Sequence, residues 1–177
     1  MLGKVHSAES AEPPAFITAA SSFRSRTGAQ LSLVAEVEQA MPLCRVTRRL
    51  HFNAAHRLFN PRFSDAENER TFGVCNNPNF HGHNYNLDVS VEGEIDAATG
   101  YVLDIHRLKE TVTESLVRHL DHKNLNLDVP WFRDLIPTAE NIAVVCWRVL
   151  EPALKPARLA HIRLWETERN YVDYTGT

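Results

Sequence analysis

Two histidines one residue apart, His81 and His83, are the feature of this sequence best suited to chemistry. They stand where a stretch of alternating polar and apolar residues begins, and that alternation predicts a β-strand. Residues i and i+2 of a strand project from the same face, so both imidazoles can bind one metal ion, with Gly82 keeping the position between them open. The pair alone is a weak signal, because two surface histidines held by hydrogen bonds have the same spacing.

His56 is the best candidate for a third metal ligand, because it ends an earlier predicted strand. If the two strands pair in antiparallel fashion, the end of the first lies beside the start of the second. Three histidines with an open fourth position are typical of a catalytic zinc site. The polar run from Cys75 to Asn79, just before His81, favours a functional site, since loops at strand ends often carry function.

The composition describes a globular protein of one domain and excludes several classes. The chain has 177 residues, 44% of them hydrophobic, and a net charge of −3, so it lacks the basic excess expected of a nucleic-acid-binding protein. No apolar run approaches the roughly 18 residues of a membrane span. Three scattered cysteines do not form a disulfide framework, which favours a reducing, cytoplasmic location.

The surrounding pattern predicts the elements that must position these histidines. Strands are expected over 46–56, 81–92, 158–166 and 170–174, the last two as a hairpin, and amphipathic helices over 105–120 and 139–151. Thr138 is the expected N-cap of the second helix, and 59–80 has the composition of a long loop. The expected fold is an α+β domain with a four-stranded antiparallel sheet and two helices on one face.

Residues 1–42 differ in character from the rest of the chain. They are rich in Ala, Ser and Glu, and their only helical pattern is a short one over 31–40. We expect a loosely attached N-terminal extension, followed by a single domain over 43–177.

Five motifs resemble the 6-pyruvoyl-tetrahydropterin synthase family, which includes the bacterial 6-carboxytetrahydropterin synthases. They are AHRL at 55–58, CNNPNFHGHNY at 75–85, LDHKNL at 120–125, TAEN at 138–141 and WET at 165–167. The likeness runs from about Arg45 to Gly176, with the motifs in the family's order and spacing, and so covers the domain over 43–177 but not the extension.

The resemblance implies a zinc-dependent lyase that acts on 7,8-dihydroneopterin triphosphate, with His56, His81 and His83 as zinc ligands. It implies the tunnelling fold (T-fold), and a homohexamer of two stacked trimers with active sites at subunit interfaces. Elimination of triphosphate would give 6-pyruvoyl-tetrahydropterin for tetrahydrobiopterin biosynthesis. The alternative product is 6-carboxytetrahydropterin, with acetaldehyde and triphosphate released, in queuosine biosynthesis; the Cys-Asn-Asn-Pro-Asn spacing favours the pyruvoyl product.

The resemblance also assigns the acid–base residues. Cys75 would remove a proton from the substrate, and a nearby cation lowers the pKa of a thiol. Asp121 and His122 would form a second acid–base pair that works with the cysteine across a subunit interface. Without the resemblance, a cysteine is explained as a small buried residue, which is what we expect of Cys44 and Cys146, and His122 at a helix end complements the helix dipole.

Three further residues are expected to bind the pterin. Glu166 follows Ile162 and Leu164 on an apolar strand face, where a carboxylate needs a partner, and the amino-pyrimidine edge of a pterin offers paired donors. Thr138 and Glu140 would help to hold the pterin, although both also suit the start of a helix.

Two positions depart from the pattern of many relatives, which have Lys before the cysteine and Gly before the His-Gly-His motif. Here these positions are Val74 and Phe80. The departures motivate a third possibility, a zinc- and pterin-binding protein without turnover. The candidate cations for the triphosphate are Arg57, Arg62 and Lys123.

Overall fold

The structure, a computed structural model, describes residues 42–177, so the predicted extension 1–42 lies outside the described residues except for Pro42. Its strands are β1 (Leu43–His56), β2 (His81–Glu94), β3 (Lys123–Asn124), β4 (Arg158–Trp165) and β5 (Tyr171–Tyr174). Its helices are α1 (Asp65–Phe72), α2 (Ile105–Val112), α3 (Arg118–Leu120) and α4 (Ala139–Ala153), with a π-helical turn (Thr113–Val117) joining α2 to α3 and 3₁₀ turns at Gly73–Asn76 and Pro130–Phe132. Within residues 42–177, no helix is long and apolar enough to cross a membrane.

One five-stranded sheet, in the order β3-β1-β2-β4-β5, forms the body of the domain. β1 and β2 pair in antiparallel fashion along their whole lengths, and His56 lies opposite His81. β4 and β5 extend the sheet as an antiparallel hairpin, as predicted. The predicted α+β class is confirmed, and the sheet gains one strand: β3 pairs parallel to β1 over two residues, too few to leave a sequence period.

The hydrophobic core lies between one face of the sheet and the helices. Alternate residues of β1 and β2, among them Phe52, Tyr85 and Leu87, are fully buried on this face. They pack against the apolar sides of the helices, whose fully buried residues include Leu108, Leu116, Ile142, Cys146 and Leu150. Each such side chain contributes about 1.5–3 kcal/mol by leaving water, and this packing fixes the ends of β1 and β2.

The opposite face of the sheet carries a ladder of paired polar side chains. Asp88 accepts hydrogen bonds from Arg49 Nε at 2.6 Å and Arg49 Nη2 at 2.7 Å, and Arg45 pairs with Glu92 at 2.9 Å. Thr47 and Ser90 join their hydroxyls at 2.8 Å between these ion pairs. Asp88 and Glu92 are buried by their neighbours, so pairing is required for them to remain charged there.

The prediction of a loop over 59–80 is wrong, because this segment contains α1 and the 3₁₀ turn Gly73–Asn76. α1 has almost no apolar stripe, so hydrophobic periodicity could not reveal it. Its start was nevertheless encoded: Ser64 caps the backbone N–H of Glu67, and the Glu67 carboxylate accepts from the backbone N–H of Ser64 at 2.7 Å.

The other helix predictions are confirmed with changes at their ends. Residues 105–120 are helical throughout but widen into the π turn, and Thr138 is the N-cap of α4. α4 continues two residues past the predicted 151, with Pro152 in its last turn, where only one hydrogen bond is lost. Cys146 is buried as expected, whereas Cys44, expected to be a small buried residue, is exposed.

Candidate active site

Three histidines converge at the end of the β1–β2 pair, as the sequence predicts. The nitrogen atoms that His56, His81 and His83 can offer to a metal ion lie within 4.8 Å of one another. The ring centroids are 4.5 Å apart for His56 and His81, and 5.0 Å apart for His81 and His83. The antiparallel register creates this cluster, because it sets the last residue of β1 opposite the first residue of β2.

The nitrogen atoms of the cluster fit a bound metal ion. The fully buried His56 donates from Nδ1 to the carbonyl oxygen of Pro137 at 2.7 Å, which leaves Nε2 free as a ligand. Both ring nitrogens of His81 and the Nε2 of His83 are buried and have no hydrogen-bond partner within residues 42–177. Buried polar atoms without partners are costly, and a metal ion would satisfy them.

Two of the histidines, His56 and His81, have pKa values shifted toward the neutral form that metal binding requires. Burial lowers the pKa of His56 to about 4, helped by the charges that His81 and His83 would carry, although the bond to Pro137 acts in the opposite direction. Burial and then His83 likewise lower the pKa of His81. Imidazole coordinates a metal in its neutral form, so the lowered pKa values of His56 and His81 favour metal binding at neutral pH.

Glu166 follows the last residue of β4 and faces the histidine cluster. Its Oε1 lies 3.7 Å from His56 Nε2 and 3.8 Å from His83 Nε2, too far for hydrogen bonds. Since the depressed pKa keeps His56 neutral near pH 7, the contact with His56 is not an ion pair there. The carboxylate, about a quarter exposed, therefore remains free to accept from another partner.

Cys75 lies in the 3₁₀ turn that leads from α1 to β2. Its thiol is half-buried, and its carbonyl oxygen accepts a hydrogen bond from the backbone N–H of Leu58 at 2.9 Å. Burial, and secondly the negative charge of Glu166, raises the pKa of the thiol. The polypeptide alone thus disfavours the thiolate. The preceding Val74 is 90% exposed and cannot supply the charge that Lys would.

Asp121 and His122 form an exposed pair within the chain. Asp121 Oδ1 accepts from the backbone N–H of Asn53 at 2.8 Å, which is the main cause of its lowered pKa, and Oδ2 lies 3.0 Å from His122 Nδ1. The His122 side chain is 77% exposed and borders an open cavity of about 490 Å³ that His83 also lines. Asp121 orients the imidazole, but no contact within the described chain joins the pair to Cys75.

Thr138 and Glu140 stand at the start of α4, just after Pro137, whose carbonyl oxygen contacts His56. The Thr138 hydroxyl accepts from the backbone N–H of Asn141 at 3.3 Å, so its capping role is confirmed. Glu140 is exposed in the first turn, where a negative charge suits the helix dipole. The adjacent Pro137 is the residue that orients His56, and no sequence signal marks it because only its backbone carbonyl acts.

The three cations considered for the triphosphate have separate surroundings. The Arg57 guanidinium is bonded to Asn76, next to Cys75. Arg62 and Arg133 line a cleft of about 440 Å³ between residues 59–62 and 132–136. Lys123 lines the cavity beside His122.

Comparison with known proteins agrees with this geometry. Residues 45–177 match the profile of the family described as 6-pyruvoyl tetrahydropterin synthase. The chain is 48% identical over 132 residues to the human 6-pyruvoyl tetrahydrobiopterin synthase, covering 75% of this chain and 91% of that protein. It is 45% identical over 136 residues to the Drosophila melanogaster protein of the same name, covering 76% and 81%. The solved structure of the Caenorhabditis elegans 6-pyruvoyl tetrahydropterin synthase, 39% identical, superposes with a TM-score of 0.74 over 77% of this chain and 98% of that one.

Proposed function

The chain belongs to the 6-pyruvoyl tetrahydropterin synthase family, and from that membership we propose that it is a zinc-dependent lyase converting 7,8-dihydroneopterin triphosphate to 6-pyruvoyl-tetrahydropterin with elimination of triphosphate. The observation that carries the proposal is the convergence of three imidazoles at one end of the sheet, where ring nitrogens of His81 and His83 have no hydrogen-bond partner within residues 42–177. A family member without such a metal-binding cluster would not be expected to catalyse the reaction.

His56, His81 and His83 are the residues that would hold zinc, the metal for which a three-histidine set with an open position is typical of catalysis. A bound zinc ion would act as a Lewis acid toward the substrate's side chain and make a carbon-bound proton easier to remove. The Pro137 carbonyl keeps His56 in the tautomer whose Nε2 faces the cluster.

Cys75 is the proposed base that accepts the substrate proton. Its 3₁₀ turn shortly precedes the strand that carries two of the metal ligands, and the negative charge of Glu166, which faces those ligands, contributes to the raised pKa of its thiol. Its raised pKa in the protein alone means that a positive charge in the site is needed before the thiolate can form at neutral pH.

Asp121 and His122 are proposed to complete the proton transfers from a neighbouring subunit. An imidazole that is oriented by a carboxylate and yet 77% exposed suits a site closed by a second copy of the chain. We therefore propose a homohexamer of two stacked trimers with the active sites at subunit interfaces.

Glu166 is the proposed anchor for the pterin's amino-pyrimidine edge. Its carboxylate lacks a hydrogen-bond partner within residues 42–177, and pairing with two N–H donors would suit its partly buried position. Thr138 and Glu140 would contribute at the rim, from the start of α4.

A reducing compartment suits this chemistry. Cys75 must remain a free thiol to act as a base, and Cys44, Cys75 and Cys146 are all free. We propose a cytoplasmic location on this ground.

The test is to incubate the zinc-loaded protein with 7,8-dihydroneopterin triphosphate and to identify the products by mass spectrometry. We expect inorganic triphosphate and 6-pyruvoyl-tetrahydropterin in equal amounts, without acetaldehyde. Release of acetaldehyde would contradict the pyruvoyl product and favour the carboxy alternative. Zinc-loaded protein that binds the substrate without turnover would contradict the lyase and favour a binding protein.

A further inference from the structure

We propose that Arg57 is a positioning residue that fixes the turn carrying Cys75 to the metal-binding end of β1. The inference rests on the proposed function, because it assigns Arg57 to the geometry of the base in that reaction. It also gives two donor atoms of Arg57, one of the cations considered for the triphosphate, a use within the protein.

The side chain of Arg57 is committed to the residue that follows Cys75. Its Nε donates to the backbone carbonyl oxygen of Asn76 at 2.8 Å, and its Nη2 donates to Asn76 Oδ1 at 2.9 Å. A longer bond of 3.2 Å joins Nε to the same Oδ1. The planar fork of a guanidinium defines both the distance and the orientation of its partner, so the 3₁₀ turn has one preferred position.

The backbone beside Arg57 reinforces this attachment. The N–H of Leu58 donates to the carbonyl oxygen of Cys75 itself at 2.9 Å. The N–H of Arg57 donates to Asn126 Oδ1 at 2.8 Å, and Asn126 Nδ2 donates back to the Arg57 carbonyl at 3.0 Å. Asn126 lies four residues after His122, so residue 57 ties together the segments that carry the base and the acid–base pair, directly after the metal ligand His56.

The surroundings of Arg57 favour a geometric role over a role as a substrate cation. Its guanidinium carbon lies 4.4 Å from the centroid of the Phe59 ring, which covers one face of the group. Within residues 42–177 it forms no ion pair, so its donors are used on neutral acceptors of the Cys75 turn. The Nε–Nη2 edge of the guanidinium, one of the two that can bind a phosphate in bidentate fashion, is thus already occupied.

The position of Cys75 determines whether it can accept a proton. A general base must lie within hydrogen-bond reach of the proton it removes, and a displacement of about 1 Å can cost about 100-fold in rate. Apart from this fork, the turn is attached to the residues after β1 by the Leu58 bond to the Cys75 carbonyl, and the Val74 side chain is 90% exposed. Loss of the Arg57 fork should therefore lower kcat through Cys75 and leave the metal in place.

The experiment compares Arg57→Ala, Arg57→Lys and Asn76→Ala with wild type, and uses Arg70→Ala as the matched control, since Arg70 is exposed on α1. For Arg57→Ala we expect kcat to fall about 10- to 100-fold, with KM within about threefold and zinc content unchanged. Arg57→Lys should not restore kcat, because an ammonium keeps the charge but not the fork. Asn76→Ala should lose less, since the backbone carbonyl bond survives.

A second readout follows the thiol and needs no turnover. Alkylation of each cysteine by iodoacetamide is measured by peptide mass, with exposed Cys44 as the reactive reference and buried Cys146 as the unreactive one. In Arg57→Ala we expect Cys75 to be alkylated at least about threefold faster, because the released turn exposes it, while Cys44 reacts as before.

The outcomes separate this inference from the proposed function. Wild-type turnover with unchanged kcat in Arg57→Ala, or an unchanged alkylation rate of Cys75, overturns the positioning role alone. Loss of zinc in parallel with activity in Arg57→Ala also overturns it, because the effect would then act through the metal site. Restored kcat in Arg57→Lys overturns it as well, because the charge alone would then be sufficient. A wild-type protein without triphosphate release overturns the proposed function, while the alkylation rates still decide the inference.

Discussion

At the scale of single residues, the fold favours the protonation state that the proposed reaction needs at the metal-binding histidine His56 but opposes it at Cys75. His56 is neutral and oriented, because burial lowers its pKa to about 4 and the carbonyl oxygen of Pro137 binds its Nδ1. Cys75 is the opposite case, since burial and Glu166 raise the pKa of its thiol. A bound cation would lower the pKa of this thiol, which links the proposed base to the metal site.

Substitution of Cys75, the proposed base, tests whether its thiol acts in proton transfer and not in metal binding. Cys75→Ala should keep the wild-type zinc content and lose about 100- to 10,000-fold in kcat, the range typical of a lost general base. Cys44→Ala is the matched control, because Cys44 is exposed at the far end of β1. Zinc analysis and a triphosphate-release assay measure both properties, and full activity in Cys75→Ala would refute the proton-transfer role.

Phe80 is the residue whose backbone is most unexpected. It has a φ of 65°, in the left-handed region that glycine adopts freely and that costs other residues about 1 kcal/mol. It directly precedes His81, and its N–H donates to the carbonyl of Asn77 at 3.0 Å, so the turn before the metal ligand imposes the conformation.

This strain predicts an inverted stability order at position 80. Phe80→Gly should be about 1 kcal/mol more stable than Phe80→Ala, although glycine normally destabilises a chain relative to alanine. Both variants lose the ring, so the comparison isolates the backbone. Urea denaturation measures it, and an alanine variant as stable as the glycine variant would mean that the turn relaxes.

At the scale of elements, the register of β1 with β2 creates the site. His56 lies opposite His81, and a slip by one residue would turn His56 to the other face of the sheet. The buried core side chains on one face and the polar ladder on the other both oppose such a slip.

The polar ladder makes a pH-dependent contribution to stability. Hydrogen bonds from Arg49 hold the pKa of Asp88 below its ordinary value, so the contribution is present above about pH 4 and is lost as pH falls through the lowered pKa. Asp88→Asn should thus lower the free energy of unfolding by about 1–3 kcal/mol at pH 7. The difference from wild type should shrink as the pH falls below about 4.

Urea titrations of both proteins across this pH range provide the check. Effects of acid on the histidine cluster are common to both proteins and cancel in the difference. A difference that stays constant down to low pH would exclude a charged Asp88 as the source.

The elements also show which features the sequence encodes locally. The His-x-His spacing, the strand alternation and the Thr138 cap predict the three-histidine cluster and the helix beside it, because each depends on neighbouring residues. α1 was not predicted from the sequence, because the sequence of this helix has a capping box but no apolar stripe. The Pro137 contact with His56 and the Arg57 fork on Asn76 join residues 81 and 19 positions apart, and long-range contacts of this kind leave no period in the sequence.

At the scale of the whole molecule, the catalytic unit is confined to one part of the chain. The family match begins at residue 45, and all proposed site residues lie between His56 and Glu166. We propose that residues 1–42 form an extension that the reaction does not require.

Truncation tests this boundary. A chain of residues 42–177 should bind zinc and release triphosphate with kcat within about twofold of the full chain, because it retains the entire core and site. Steady-state kinetics on both proteins measure the ratio. A large loss of activity with zinc retained would assign residues 1–41 a part in the reaction.

Assembly into an oligomer affects the proposed reaction, because His122 of the proposed acid–base pair is exposed in the single chain. If Asp121 and His122 act on the site of a neighbour, activity requires an oligomer, and the hexamer should be the active form.

The central claim is that the three imidazoles hold the metal on which the lyase depends, and zinc titration tests it most directly. Protein stripped with a chelator should not release triphosphate, and activity should return in proportion to added zinc with an end point of one zinc per chain. His81→Ala should fail to recover under the same titration, while His106→Ala, which alters an exposed histidine on α2, should recover as wild type does. Full triphosphate release by stripped protein, or normal recovery of His81→Ala, would contradict the account.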